Sequence, residues 1–279
     1  MKPPFVVKWL SCVALMACGS AQAAISCSVS SNGFSSAYVP SNTLQNITAG
    51  SVTMTCTRSK ANDATTKSYT IMVNDGLAAG TGGANQAQSG INRITYETYT
   101  NGSCTAPAWG TTTTVAGVVT FTSTNDFVSR SDTQTFWGCI PALQNKPAAT
   151  YSDTVTMNPS TGSIATFGVS IVTPSSCSIS SPPGNIAFTY TAFQAGTASA
   201  STSFAANCTA LLPYTMTLDV TSGVLAGLQY DLALSSASAV GNGSAQTYSV
   251  TGTMASGQPG TCATGSCAAS AARQITITY

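Results

Sequence analysis

Histidine is absent from the 279-residue sequence, and only 6% of its residues are charged. Without an imidazole there is no ordinary general base, no Ser-His-Asp or Cys-His constellation, and no supply of the commonest zinc ligand. Nor is there a Cys-x-x-Cys pair, so a structural zinc site is not expected. Lys plus Arg number 9 and Asp plus Glu 8, leaving no basic surplus to attract nucleic acid or an anionic membrane. Helix-favouring glutamate is nearly missing: Glu97 stands alone. Long apolar runs are missing too. Trp9–Ala17 spans nine residues, against the roughly 20 of a bilayer-spanning helix. These absences point away from an enzyme, a metalloprotein, a nucleic-acid binder and a helical membrane protein, and no cofactor is expected.

What is present suggests export. Lys2 and Lys8 precede the short apolar run, and Ala21-Gln22-Ala23 closes it as an A-x-A site, so residues 1–23 read as a removable signal peptide. Leu15-Met16-Ala17-Cys18 has the outline of a lipoprotein site, but Met fits it poorly and cleavage after Ala23 is the preferred reading. Removal of the leader takes two lysines, leaving 9 − 2 = 7 basic against 8 acidic groups. Eight cysteines remain: Cys27, Cys56, Cys104, Cys139, Cys177, Cys208, Cys262 and Cys267. An even number in an exported chain reads as disulfides.

The chain repeats itself. Ile25-Ser26-Cys27-Ser28-Val29-Ser30-Ser31 is echoed by Ser175-Ser176-Cys177-Ser178-Ile179-Ser180-Ser181, and Cys56-Thr57 by Cys208-Thr209. Each copy continues into an alternating run (Tyr69–Val73, Tyr214–Leu218) and ends in another (Tyr151–Met157, Arg273–Tyr279). Short Thr, Val, Ile and Tyr-rich runs between Gly, Ser, Asn and Pro breakers are a β code, and no helical period interrupts them. The expectation is an all-β chain of two sandwiches, residues 24–173 and 174–279. The repeat pairs Cys27 with Cys56 and Cys177 with Cys208. Elimination then leaves Cys104 with Cys139 and Cys262 with Cys267. The Gly-rich stretch Gly76–Gly83 lacks the Lys and the following helix of a phosphate-binding loop.

These residues resemble the spore coat protein U domain family, which includes the pilins of archaic (Csu-type) chaperone–usher pili. The likeness rests on the opening Cys-Ser-Val/Ile-Ser, the later Cys-Thr, Tyr-Ser-Asp-Thr-Val at 151–155, the terminal Ile-Thr-Ile-Thr-Tyr, and Pro141-Ala142 followed by Gln144. It covers both halves, roughly residues 25–279. The resemblance implies two immunoglobulin-like pilin domains, the second incomplete and finished by a donor strand. The expected partners are a periplasmic chaperone, an outer-membrane usher and the next pilin subunit.

In that family the donor segment precedes the first Cys, and here only Ala24, Ile25 and Ser26 stand between the cleavage site and Cys27. A chain that donates nothing forward is expected at the pilus tip. The stretch Ser163–Thr173, with Ile164, Phe167, Val169 and Ile171, reads as a donor-like strand. Asn158–Gly162 turns the chain just before it, so this built-in strand near 163–172 pairs with 151–157 and completes the first domain. Ile275, Ile277 and Tyr279 form the edge expected to meet the chaperone and then the next subunit. Three loops are expected at the distal end: Thr57–Lys67, Asn101–Thr114 and 158–162. Ala106, Pro107 and Trp109 are the candidate contacts with an abiotic or host surface, although Trp109 also suits a core position. The expected function is therefore a non-catalytic tip adhesin that mediates attachment and biofilm formation from the cell surface. The alternatives are a lectin-like secreted binding protein, using Tyr96, Tyr99 and Trp109, and a spore or cyst coat protein that assembles without an usher. Asp126 and Asp132, neighbours in sequence, are the weak candidates for catalytic carboxylates.

Overall fold

A computed structural model describes residues 25–80, 83–262, 265 and 267–279; the signal peptide expected at 1–23 lies outside them. All regular structure in the described residues is β. Nine strands build the first sandwich: β1 (Ser26–Ala37), β2 (Asn46–Thr57), β3 (Thr66–Val73), β4 (Asn85–Ser89), β5 (Asn92–Tyr99), β6 (Val115–Thr120), β7 (Arg130–Ile140), β8 (Ala149–Pro159) and β9 (Ala165–Thr173). Eight build the second: β10 (Cys177–Ser181), β11 (Ala198–Cys208), β12 (Pro213–Leu218), β13 (Ser222–Leu225), β14 (Leu228–Leu234), β15 (Ser238–Val240), β16 (Ala245–Met254) and β17 (Ile275–Thr278). Each sandwich has its own apolar core.

In the first sandwich the strands follow the order β4-β5-β7-β2-β1-β9-β8-β3-β6. β1 serves both sheets. Its first half pairs antiparallel with β2, with Cys27 opposite Cys56. Its second half pairs parallel with β9, with Phe34 opposite Val169. The change of sheet takes place at the bulge between Ser31 and Gly33. Gly33 has φ 62°, and a Cβ there would lie 1.9 Å from the Gly168 carbonyl oxygen. Only glycine permits that crossing.

The alternation of small polar and branched residues decides which side chains go inward. Along β8, Tyr151, Asp153, Val155 and Met157 are buried, and along β9, Phe167, Val169 and Ile171, each two residues from the next on its strand. Phe167 lies between Trp109 and Phe136, with ring centroids 6.1 and 5.3 Å away. Four disulfides join Cys27 to Cys56, Cys104 to Cys139, Cys177 to Cys208 and Cys262 to Cys267.

The second sandwich repeats the first strand for strand, with one exception. Its sheets run β10-β11-β16-β14-β13 and β15-β12-β17. Thus β10, β11, β12, β13, β14, β15, β16 and β17 take the places of β1, β2, β3, β4, β5, β6, β7 and β8. No strand among the described residues takes the place of β9.

Candidate functional site

In the first sandwich β9 is hydrogen-bonded on both sides, parallel to β1 and antiparallel to β8, from Ala149 opposite Thr173 to Met157 opposite Ala165. In the second, among the described residues, β10 pairs only with β11 and β17 only with β12. The two edges that should hold a strand between them therefore face a groove.

The lining of that groove is an apolar core without its cover. After β10 the chain runs through Ile186, Phe188 and Tyr190, which alternate inward and pack partly buried against the second core, yet form no strand. The same positions in the first sandwich, Phe34, Ser36 and Tyr38, are buried. A Cβ added at Gly252 would lie 2.4 Å from Phe188 and 3.2 Å from Ile186, and one added at Gly138 would lie 2.5 Å from Phe34. The two segments thus take the same place over their sheets, and only one has a partner strand. On the opposite edge Ile275 and Ile277 are half-exposed and Tyr279 is 58% exposed. On β8 of the first sandwich the inward-facing Asp153, Val155 and Met157 are at most 5% exposed.

The missing cover is energetically large. Burial of Phe167, Val169 and Ile171 is worth about 1.5–3 kcal/mol each, or about 5–9 kcal/mol together. That rivals the roughly 5–15 kcal/mol by which a whole domain is stable. Two edges of unpaired amide and carbonyl groups add to the drive to accept a strand.

The structure redistributes several of the residues singled out from the sequence. Ile164 is 64% exposed and precedes β9. Its even position puts it out of phase with Phe167, Val169 and Ile171, so it is not part of the inward face. Ala106 and Pro107 are exposed, but Trp109 is 2% exposed. The Trp109 indole N–H donates to the Ile71 carbonyl at 2.8 Å and its ring packs on Phe136 and Phe167. Trp109 is a core residue, not a surface contact. Tyr96 is buried too, with its hydroxyl donated to Asp153 at 2.8 Å. Of the three sugar-stacking candidates, Tyr96 and Trp109 are buried and Tyr99 is partly exposed.

The distal end also differs from expectation. The loop 101–114 does not join it, since the Cys104–Cys139 disulfide and the contact of Gly102 with Trp137 hold that loop against β7. The third distal loop is Phe121–Ser129. Arg58, 1% exposed, ties it to the loop after β2. Its guanidinium donates to the carbonyls of Ser123 at 2.6 Å and Asp63 at 2.5 Å, and lies 5.5 Å over the Phe121 ring. Phe127 and Val128 of this loop are exposed, as is Ile164 of the neighbouring turn.

Asp126 and Asp132 have structural partners. Asp126 accepts from Arg130 Nε at 2.8 Å and from Thr122, which holds its carboxyl well below the usual carboxylate range. Asp132 accepts from Tyr69 Oη, Val118 N and Gln134 Nε2. Glu97 shifts in the opposite direction from Asp126. Burial, with the charge of Asp75 nearby, pushes its carboxyl up to about 7 against a backbone hydrogen bond from Asn85.

Several solved structures share the general outline at low identity. The chaperone–tip adhesion subunit pre-assembly complex CsuC–CsuE from archaic Csu pili of Acinetobacter baumannii is 14% identical, covering 91% of this chain and 100% of that chain, with a TM-score of 0.44. The CupB6 tip adhesin from Pseudomonas aeruginosa is 11% identical over 92% of this chain and 95% of that chain, with a TM-score of 0.36. No curated protein sequence matches the chain. A family model, by contrast, matches residues 13–158, just over half of the 279, and the chain belongs to the Spore Coat Protein U domain family.

Proposed function

We propose that this chain is a non-catalytic adhesin subunit at the tip of an archaic chaperone–usher pilus, exported to the cell surface. The observation that carries the proposal is the contrast between β9, seated between β1 and β8, and the groove left between residues 177–190 and β17. The first sandwich, residues 24–173, is complete in itself. The second, residues 174–279, accepts a strand first from a periplasmic chaperone and then from the donor segment of the next pilin at the usher. Ile275, Ile277 and Tyr279 form one wall of that site, and Ile186, Phe188 and Tyr190 the other.

The free end of the first sandwich is the attachment surface, and its apolar points are Phe127, Val128 and Ile164, with Ala106 and Pro107 on the flank. Grouped exposed apolar side chains favour sticking to abiotic or host surfaces, and hence biofilm formation, over recognition of one glycan. Export of the full chain in a periplasm with and without a pilus chaperone tests this reading. Soluble protein should be recovered as a one-to-one complex with the chaperone, and the second domain should be proteolysed without it. Equal recovery of intact protein in both cases would refute donor-strand assembly.

A further inference from the structure

The clamp at the joint between the two sandwiches has a second copy. In the first sandwich Tyr38 Oη donates to the Pro141 carbonyl at 3.1 Å and accepts from Gln144 N–H at 2.7 Å. The Gln144 side chain closes a two-way pair with the backbone of Thr95, accepting from its N–H and donating to its carbonyl, both at 2.8 Å. This clamp fixes the start of a short arm that crosses to the second sandwich. There Asn145 Nδ2 donates to the Asn242 carbonyl at 2.6 Å, and Pro147 bridges to Ala210. A Cβ on Gly243 would lie 1.8 Å from Asn145 Oδ1, so the fit is close.

The second sandwich builds the same clamp. Tyr190 Oη donates to the Ala255 carbonyl at 2.7 Å and accepts from Gln258 N–H at 3.0 Å. The Gln258 side chain pairs both ways with the backbone of Gln229, at 2.6 and 2.9 Å. Details of the bend agree as well. Leu143 and Gly257 have φ 59° and 74°, and their N–H groups donate to Asn42 and Gln194, four residues after Tyr38 and Tyr190. By this correspondence Pro259 stands where Asn145 stands, and it is exposed. Phe193 stands where the first sandwich has Ser41. It is 71% exposed and has φ 57°, an uncommon conformation for a bulky residue and a costly exposure.

The direction of the groove brings a partner to this end. β9 runs parallel to β1 and leaves beside Tyr38, whose N–H donates to Val172 O at 2.8 Å. Three residues, 174–176, then lead straight into β10. A donor strand lying along 186–190 in the same sense leaves beside Tyr190 and delivers the body of its own subunit there. We infer that Phe193, Gly257 and Pro259 form a docking surface for the globular body of the next β-sandwich subunit, near the end of that subunit's second strand. The inference rests on the pilus reading above and adds a rigid contact to the donor strand itself.

The test uses the full chain in its native host, with the photoreactive residue p-benzoylphenylalanine placed at position 193 or, separately, at position 279 on the groove edge. Mass spectrometry identifies the cross-linked peptides in isolated fibres. Position 193 should capture the body of a pilin, near the end of its second strand, and position 279 the donor segment of the same pilin. If position 279 captures a donor but position 193 captures nothing, or only the chaperone, the docking surface is refuted while the pilus reading stands. If neither position captures a pilin, the pilus reading fails and this inference with it. A second measurement is independent of cross-linking. Phe193→Ser should speed dissociation of the captured subunit roughly tenfold, as loss of a buried aromatic anchor does, while binding of an isolated donor peptide is unchanged. Unaltered dissociation of the whole subunit would overturn the inference.

Discussion

Phe34 sits opposite Val169 in parallel register, at the seam where the last strand of the first sandwich is laid beside the first. Ile186, in the corresponding place of the second sandwich, lies in a segment with no strand partner among the described residues. One chain thus carries the same apolar seam in a closed and an open form.

The closed seam should fail when its central side chain is cut back. Phe167 is buried between Trp109 and Phe136, so Phe167→Ala should cost about 3–5 kcal/mol of first-domain stability. Urea unfolding of the full chain, followed by tryptophan fluorescence, to which Trp109 and Trp137 of the first sandwich contribute, reads this loss. Ile164→Ala, at an exposed position outside β9, should change it by no more than about 0.5 kcal/mol.

The period of two made much of this legible in the sequence. Phe167, Val169 and Ile171 share one parity, and Asn158–Gly162 announces a turn, so a hairpin of 151–157 with 163–172 is legible from pattern, close to the observed pairing of 149–157 with 165–173. Ile164 is apolar but of the opposite parity, and parity rather than composition decides its exposure. Trp109 was harder: it stands in a loop, and only the return of that loop to Cys139 and Val73 carries its ring into the core. The Tyr38–Gln144 clamp leaves a fainter trace. Tyr190 and Gln258 repeat it at different spacings, because the second copy inserts residues before its tyrosine and lacks several strands' worth of loop elsewhere.

Gly33 should not tolerate a side chain. Gly33→Ala places a methyl against Gly168 O at a φ of 62°, so β1 cannot keep both its pairing with β2 and its pairing with β9. The expected loss is about 1–3 kcal/mol, and amide exchange should rise selectively along 165–173. Gly168→Ala, whose added methyl meets nothing within 4 Å, is the control and should leave that exchange unchanged.

Stability of the first domain should fall as pH rises towards neutrality. Glu97 holds its proton in the folded state up to about pH 7, above its ordinary value of 4.5. Between those two values the folded state binds more protons than the unfolded state, so stability decreases with rising pH. Asp126 acts in the opposite direction but outside this window: its folded carboxyl is held low, so its contribution is lost only in acid below the usual carboxylate range. Thermal melting from pH 5 to pH 8 should show a decline in the wild type and a flatter profile in Glu97→Gln.

The distal loops should be separable into frame and contact. Arg58→Met leaves the carbonyls of Ser123 and Asp63 without their buried donor, at a cost of about 3 kcal/mol. Amide exchange should then rise together in 58–64 and 121–126. Phe127→Ser combined with Val128→Ser, both at exposed positions, should leave melting nearly unchanged and reduce retention of pili on polystyrene several-fold, as loss of an exposed apolar contact implies.

The central claim concerns the open seam, and a surrogate strand tests it most directly. A peptide with the sequence of residues 163–173 carries the side chains that close the first sandwich, and the second offers the equivalent slot. Titrated into the full chain during refolding, it should raise the melting transition of the second domain by more than 10 °C, on the order expected for several kcal/mol in a domain of about 100 residues. The transition of the first domain should not move. Slowed amide exchange at 186–190 and 275–278 should accompany the shift. A second domain that melts at the same temperature with and without the peptide, already protected along both edges, would contradict the account.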